Sequence, residues 1–131
     1  LGLIGSGGPA VGDGSIAHAY WQRAYARMLG EMGYQVQMES PRSGGRVDLL
    51  ARKGDELLGV EIETGKSDVV ANVRAGLRAG FARVLAVATD PTALAIIERR
   101  LGAAGLLVPG RVAVVCAPDA PPWFEQPSPA T

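Results

Sequence analysis

The stretch 45–63, GRVDLLARKGDELLGVEIE, decides the fold. Two runs of alternating polarity, 46–52 and 57–63, flank Lys53-Gly54-Asp55-Glu56. A Gly-Asp pair between such runs predicts a two-residue hairpin of type II′. With Lys53 opposite Glu56, the same register sets Asp48 opposite Glu61 and Arg46 opposite Glu63. Side chains alternate between the faces of a strand, so Val47, Leu49, Ala51, Leu58, Val60 and Ile62 then form one apolar face. Asp48, Glu61 and Glu63 share the other.

Like charges opposed across a strand pair, with Cβ atoms about 4.5–5.5 Å apart, are destabilising, so the acids need compensation. Two arrangements supply it. A hard cation such as Mg²⁺ takes carboxylate oxygens together with several waters. Alternatively Arg46, Arg52 and Lys66 neutralise the acids as a salt-bridged face, because structural charge networks cluster as well.

Outward from the hairpin the periodicity changes. Upstream, the spacing predicts a helix over 15–32, capped by Ser15, burying Ile16, Ala19, Tyr20, Ala24, Leu29 and Met32, and stopped by Gly33. Residues 34–39 alternate as a strand, and 41–45 read as a loop. Downstream, a helix is expected over 67–79, capped by Ser67 with Asp68 in its first turn, buried through Val69, Val70, Val73 and Leu77, and ended by Gly80. Residues 83–89 are apolar without alternation, the pattern of a strand buried on both faces. Asp90 caps a third helix with Pro91 at its first position, packing Leu94, Ile97 and Leu101, and 111–117 is a last strand. The order predicts an α/β sandwich with a mixed sheet.

The chain has 131 residues, the size of one domain, and 47% of them are hydrophobic against 20% charged, a globular balance. The Gly-rich residues 1–14 read as a linker, 15–117 as the domain, and the Pro-rich 118–131 as a tail without periodic structure. A chain that opens on Leu1 rather than Met, with Gly-rich residues 1–14, reads as a piece whose natural chain continues upstream in a further domain. No apolar run reaches the roughly 20 residues that span a bilayer, and no signal peptide is visible, so a soluble cytoplasmic protein is expected. The single cysteine, Cys116, excludes an internal disulfide and reads as a small buried hydrophobe. With 13 basic and 13 acidic residues the chain lacks the basic excess of a DNA-coating protein, so any nucleic-acid contact must be a local patch.

The segment GRVDLLA at 45–51, followed twelve residues after Asp48 by Val60-Glu61-Ile62-Glu63, resembles the PD-(D/E)xK nuclease superfamily. That superfamily includes junction resolvases, RecB-like nucleases and many restriction enzymes. The resemblance covers about 15–89 and implies a restriction-endonuclease-like α/β/α sandwich with a mixed central sheet. It implies that Asp48 and Glu61 bind Mg²⁺ or Mn²⁺, that the activity is metal-dependent hydrolysis of DNA phosphodiesters, and that the chain pairs as a homodimer. By the same resemblance, His18 on the first helix and Glu63 are candidate metal ligands; Glu39, at the end of the strand before the hairpin, is a comparable candidate by position or else an ordinary strand-end charge. More narrowly, VEIETGKSDVVAN at 60–72 looks like nuclease-type domains attached to DNA-translocating ATP-binding proteins.

The departure is Glu63, which stands where the superfamily's motif carries Lys. A carboxylate does not offset phosphate charge as an ammonium does. Glu63 as base or metal contact, and Lys66 as a displaced cation, are both open. The candidate catalytic residues are therefore Asp48, Glu61, Glu63 and Lys66, and the candidate phosphate contacts are Arg42, Arg46, Arg52 and Lys53. The alternative to an enzyme is a catalytically silent module of the same fold, binding DNA or a partner protein beside an upstream ATPase domain.

Other signals fail on spacing. Gly65-Lys66-Ser67 imitates the end of a P-loop, but five residues rather than four separate Gly59 from Gly65. Gly5, Gly7 and Ala10 lack the helix that a dinucleotide fingerprint opens. One histidine and no nucleophile elbow leave no Ser-His-Asp arrangement.

Overall fold

A computed structural model describes residues 14–42, 44–121 and 124. Residues 1–13 of the expected linker and most of the tail beyond 121 lie outside the described residues, and Gly14 already belongs to the first helix. The elements run α1 (Gly14–Glu31), β1 (Gln35–Arg42), β2 (Gly45–Lys53), β3 (Glu56–Glu63), α2 (Val69–Arg78), β4 (Arg83–Ala88), α3 (Pro91–Ala103) and β5 (Val112–Cys116). They build an α/β fold around one five-stranded mixed sheet in the order β1-β2-β3-β4-β5.

The hairpin at the centre forms in the expected register, with Lys53↔Glu56, Arg52↔Leu57, Ala51↔Leu58, Leu50↔Gly59 and Leu49↔Val60 as antiparallel partners. Gly54 takes φ +62°, the left-handed conformation that the first turn position of a II′ hairpin requires and glycine adopts without strain. The β2–β3 ladder stops at Leu49↔Val60, so Asp48–Glu61 and Arg46–Glu63 are not ladder partners as expected. Beyond that point β2 pairs only with β1, through Ser40↔Val47, Pro41↔Arg46 and Arg42↔Gly45. On its other edge β3 continues beside β4, with Glu61↔Ala86, Ile62↔Val87 and Glu63↔Ala88 in parallel. The acidic end of β3 is thus left unladdered on its β2 side.

Strands β3, β4 and β5 are parallel and step in one direction across the sheet. Right-handed crossovers in one direction put their helices on one face, and α2 and α3 do pack together there. That face buries Val69, Val73, Val84, Ala86, Ala88, Ile97 and Leu101. The opposite face carries α1, whose Tyr25 and Leu29 cover Leu49, Ala51, Leu58, Val60, Ile62, Leu85 and Val87. Strand β4 is buried along its whole length, as its unbroken apolar run predicts. Gly59 sits in β3 because the Phe81 ring lies against it; a Cβ there would stand 2.5 Å from the ring.

Several expectations need correction. The buried stripe of α1 is Gln22, Tyr25 and Leu29, while Ile16 and Tyr20 are 47% and 44% exposed, so the helix is rotated from its most apolar phase. Val47 leaves the face of Leu49 and packs with Val69 and Val73 on the α2 side. Pro41 and Arg42 belong to β1 rather than to a loop, which Pro41 allows because β1 is an edge strand. The N-cap of α2 is Asp68, whose carboxylate accepts from the Ala71 N–H at 3.0 Å; Ser67 is engaged elsewhere. The α3 cap is as expected, with Asp90 accepting from the Ala93 N–H at 2.8 Å and Pro91 following. Cys116 is half-buried on the edge strand β5 rather than enclosed, and partial burial raises its thiol pKa. In the tail, Phe124 is buried in the α1-side core. No described helix is long and apolar enough to cross a membrane.

Candidate active site

The unladdered end of β3 opens into a cleft of about 430 Å³. His18 from α1, Arg46 and Asp48 from β2, Glu61 and Glu63 from β3, and Ser67 and Asn72 at the start of α2 line it. The structure therefore brings Asp48, Glu61, Glu63 and His18 together, although they come from three separate elements.

Asp48 is held by three contacts. Its Oδ2 accepts the Ile62 N–H at 2.8 Å, which ties β2 to β3 where the ladder has ended. Its Oδ1 lies 3.0 Å from His18 Nε2. Its backbone carbonyl accepts from Gln22 Nε2 at 2.9 Å. His18 and Gln22 are one helical turn apart on α1, so a single helix face secures both the side chain and the main chain of Asp48. The Gln22 amide also donates to Glu39 Oε2 at 2.8 Å. Glu39 takes φ +55°, a left-handed conformation that costs a non-glycine residue about 1–3 kcal/mol and clusters at functional sites. Glu39 is exposed and reaches the site through Gln22; it does not line the cleft.

Glu61 is 3% exposed. Burial, then the charges of Asp48 and Glu63, push its carboxyl up to about 9, against a smaller opposing pull from Arg42. A group so placed holds a proton at neutral pH, and its hydrogen bond to Asp48 favours that form. Glu63, equally buried, has both oxygens engaged: Ser67 Oγ donates to Oε1, and Asn72 Nδ2 donates to Oε2 at 3.2 Å. Burial raises the Glu63 pKa and these two hydrogen bonds oppose the rise. His18 is raised above its ordinary value, chiefly by its hydrogen bond to Asp48 and against the effect of its own burial.

The cations distribute differently from expectation. Arg46 is exposed and lines the cleft. Arg42 is turned inward, its side chain only 7% exposed, with Nη2 3.7 Å from Glu61 Oε2 and donating to Asn72 Oδ1 at 3.1 Å. Arg52 and Lys53 lie at the far end of β2, and five residues at 3.3–3.4 Å each put Lys53 about 17 Å from Asp48. Lys53 there donates to the Met32 carbonyl at 3.0 Å and stands 5.2 Å over the Tyr34 ring. Lys66 is exposed on the turn before α2 and is not among the residues lining the cleft.

Among the described residues no group of three His, Cys, Asp or Glu side chains is arranged to hold a metal ion. What the cleft offers is a pair, Asp48 and Glu61, with Glu63 tied to α2. Sequence reasoning did not find Ser67 or Asn72 as partners of Glu63, because Ser67 reads as a helix cap and nothing in the spacing marks Asn72. Gln22 was legible only as a neighbour of His18 on one helix face. Comparison with family models, curated proteins and solved structures finds no match to the chain.

Proposed function

We propose that this chain is a divalent-cation-dependent phosphodiesterase acting on DNA, with the restriction-endonuclease-like arrangement that its PD-(D/E)xK resemblance implies. The observation that carries the reading is the Asp48–Glu61 pair: two carboxylates at one cleft, one of them nearly buried and driven to hold a proton in the absence of stronger compensation. A carboxylate pair in that state fits either a shared proton or a cation, and a cation has an open route from the cleft.

The donor set fits Mg²⁺ or Mn²⁺ in the form in which Mg²⁺ usually binds, through one or two carboxylates with waters and substrate phosphate completing the shell. Asp48 and Glu61 are the residues that would hold it. The chemistry a divalent cation would supply there is positive charge beside a phosphoryl oxygen and a lowered pKa for water. His18 and Gln22 keep Asp48 aimed at the cleft, and Arg46 is placed to meet a phosphate at its wall. Glu63 fastens β3 to α2 through Ser67 and Asn72, so it is neither a ligand nor a base unless those bonds break.

The silent-module reading has one observation in its favour: neither Glu63 nor Lys66 stands free within the cleft to handle a water. Turnover separates the two. Single-stranded, duplex and branched DNA are incubated with the folded protein and Mg²⁺ or Mn²⁺, beside Asp48→Ala and Glu61→Ala. Metal-dependent cutting by the wild type that both substitutions abolish is expected. A wild type that binds DNA and never cuts it would transfer the assignment to the silent module.

A further inference from the structure

The acids of the cleft are accompanied by a nearly buried guanidinium. Arg42 comes from the end of β1 and is nearly buried beside Glu61; the two side chains are 7% and 4% exposed. It does not line the cleft. Removing a guanidinium from water is costly unless it is well paired, and Arg cannot shed its charge to avoid that cost. Contacts with Glu61 Oε2 at 3.7 Å and Asn72 Oδ1 at 3.1 Å place it beside the acids. Asn72 accepts from Arg42 with its oxygen and donates to Glu63 with its nitrogen. Arg42, Asn72, Glu63 and Ser67 thus form one hydrogen-bonded chain that runs from β1 through α2 to β3.

We propose that Arg42 is the positioning residue of this site, a built-in cation that orients Glu61 toward the cleft and, through Asn72, holds the carboxylate of Glu63 at the cleft wall against α2. The inference rests on the phosphodiesterase reading and deepens it. It also separates the two arginines by role. Arg46, exposed at the cleft wall, meets substrate; Arg42, enclosed behind Glu61, meets only the protein.

The test compares Arg42→Met, Arg42→Lys and Arg46→Ala with the wild type, each first shown to be folded by circular dichroism and thermal unfolding. Two readouts are taken, Mn²⁺ affinity by calorimetry and DNA cleavage resolved into kcat and KM. Arg42→Met is expected to lower kcat at least tenfold with KM changed less than twofold, and to weaken Mn²⁺ binding at least threefold. Arg42→Lys is expected to keep both within threefold of wild type, a rescue that a purely space-filling role would not give. Arg46→Ala is expected to raise KM and leave Mn²⁺ affinity unchanged. A raised KM with unchanged kcat in Arg42→Met would make it a substrate contact and overturn the inference, as would tighter Mn²⁺ binding, the sign of simple repulsion. Wild-type behaviour of Arg42→Met in an active protein removes the inference alone. If the wild type binds Mn²⁺ without cutting, the calorimetric comparison decides. A folded wild type that neither binds Mn²⁺ nor cuts removes the phosphodiesterase reading and this inference together.

Discussion

Replacing Glu61 by Gln isolates the electrostatic cost stored in the cleft. In the folded, metal-free protein burial and the neighbouring Asp48 and Glu63 raise Glu61 from 4.5 to about 9. The unfolded chain therefore ionises Glu61 across a pH range in which the folded chain keeps it protonated. The folded state binds the extra proton, so the stability this group contributes is present in full below pH 4.5 and is lost as pH rises toward 9. One proton gives a slope of about 1.4 kcal/mol per pH unit, so between pH 5 and pH 8 the wild type loses up to about 4 kcal/mol through this group. Gln cannot ionise, so Glu61→Gln lacks that contribution to the slope. Urea unfolding followed by circular dichroism at pH 5, 6, 7 and 8 in chelator-treated buffer reads the difference. Glu63 and His18, both raised, add slopes of the same sign to the wild type and to the variant, so they largely cancel in the comparison. The variant is expected to gain on the wild type steadily from pH 5 to pH 8. A difference that stays constant over that range would mean Glu61 is already ionised and paired in the folded state, and the reasoning would fail.

Further expectations rest on single contacts. The His18 imidazole, observed by proton NMR, should titrate above 6.5 and move down in Asp48→Asn, because the Asp48 hydrogen bond is the largest cause of its rise. The stability that this contact contributes is present below pH 6.5 and is lost as pH climbs through the raised value. Gln22→Ala removes the donor shared by Glu39 and the Asp48 carbonyl and should cost about 1–3 kcal/mol in chemical unfolding, the penalty for stranding the part-buried Asp48 carbonyl. Gly59→Ala drives a Cβ to within 2.5 Å of the Phe81 ring and should destabilise by about 1–3 kcal/mol. Thermal unfolding of Gly59→Ala/Phe81→Leu should recover much of that loss, and no recovery would locate the strain elsewhere.

The hairpin was legible because two independent patterns, apolar alternation and the Gly54-Asp55 turn, specify one register, and the ladder follows it from Lys53↔Glu56 to Leu49↔Val60. The cap at Asp90 and the doubly buried β4 were legible for similar local reasons. The helix α1 was misread because its packed face carries His18 and Gln22, polar residues that serve the cleft, while apolar Ile16 and Tyr20 lie outside. Local periodicity gives no credit to a polar side chain whose partner is about 26–30 residues away. The same blindness hid Arg42, which reads as a loop cation and is enclosed against Glu61 and Asn72. Motif and register pointed to Asp48 and Glu61, and both line the cleft, but beyond the end of the β2–β3 ladder rather than as ladder partners, with Asp48 accepting the Ile62 N–H.

The most direct test of the account is calorimetric titration of Mn²⁺ into the metal-free protein at pH 7, repeated in two buffers of different ionisation enthalpy, for the wild type, Asp48→Asn and Glu61→Gln. Glu61 holds a proton in the apo site and a ligand must be deprotonated to bind, so the wild type should take up one cation per chain and release up to about one proton. Both the binding and the release should disappear in the two variants. A folded wild type that takes up no cation, or variants that bind as the wild type does with the same proton release, would contradict the assignment of Asp48 and Glu61 as a cation-binding pair.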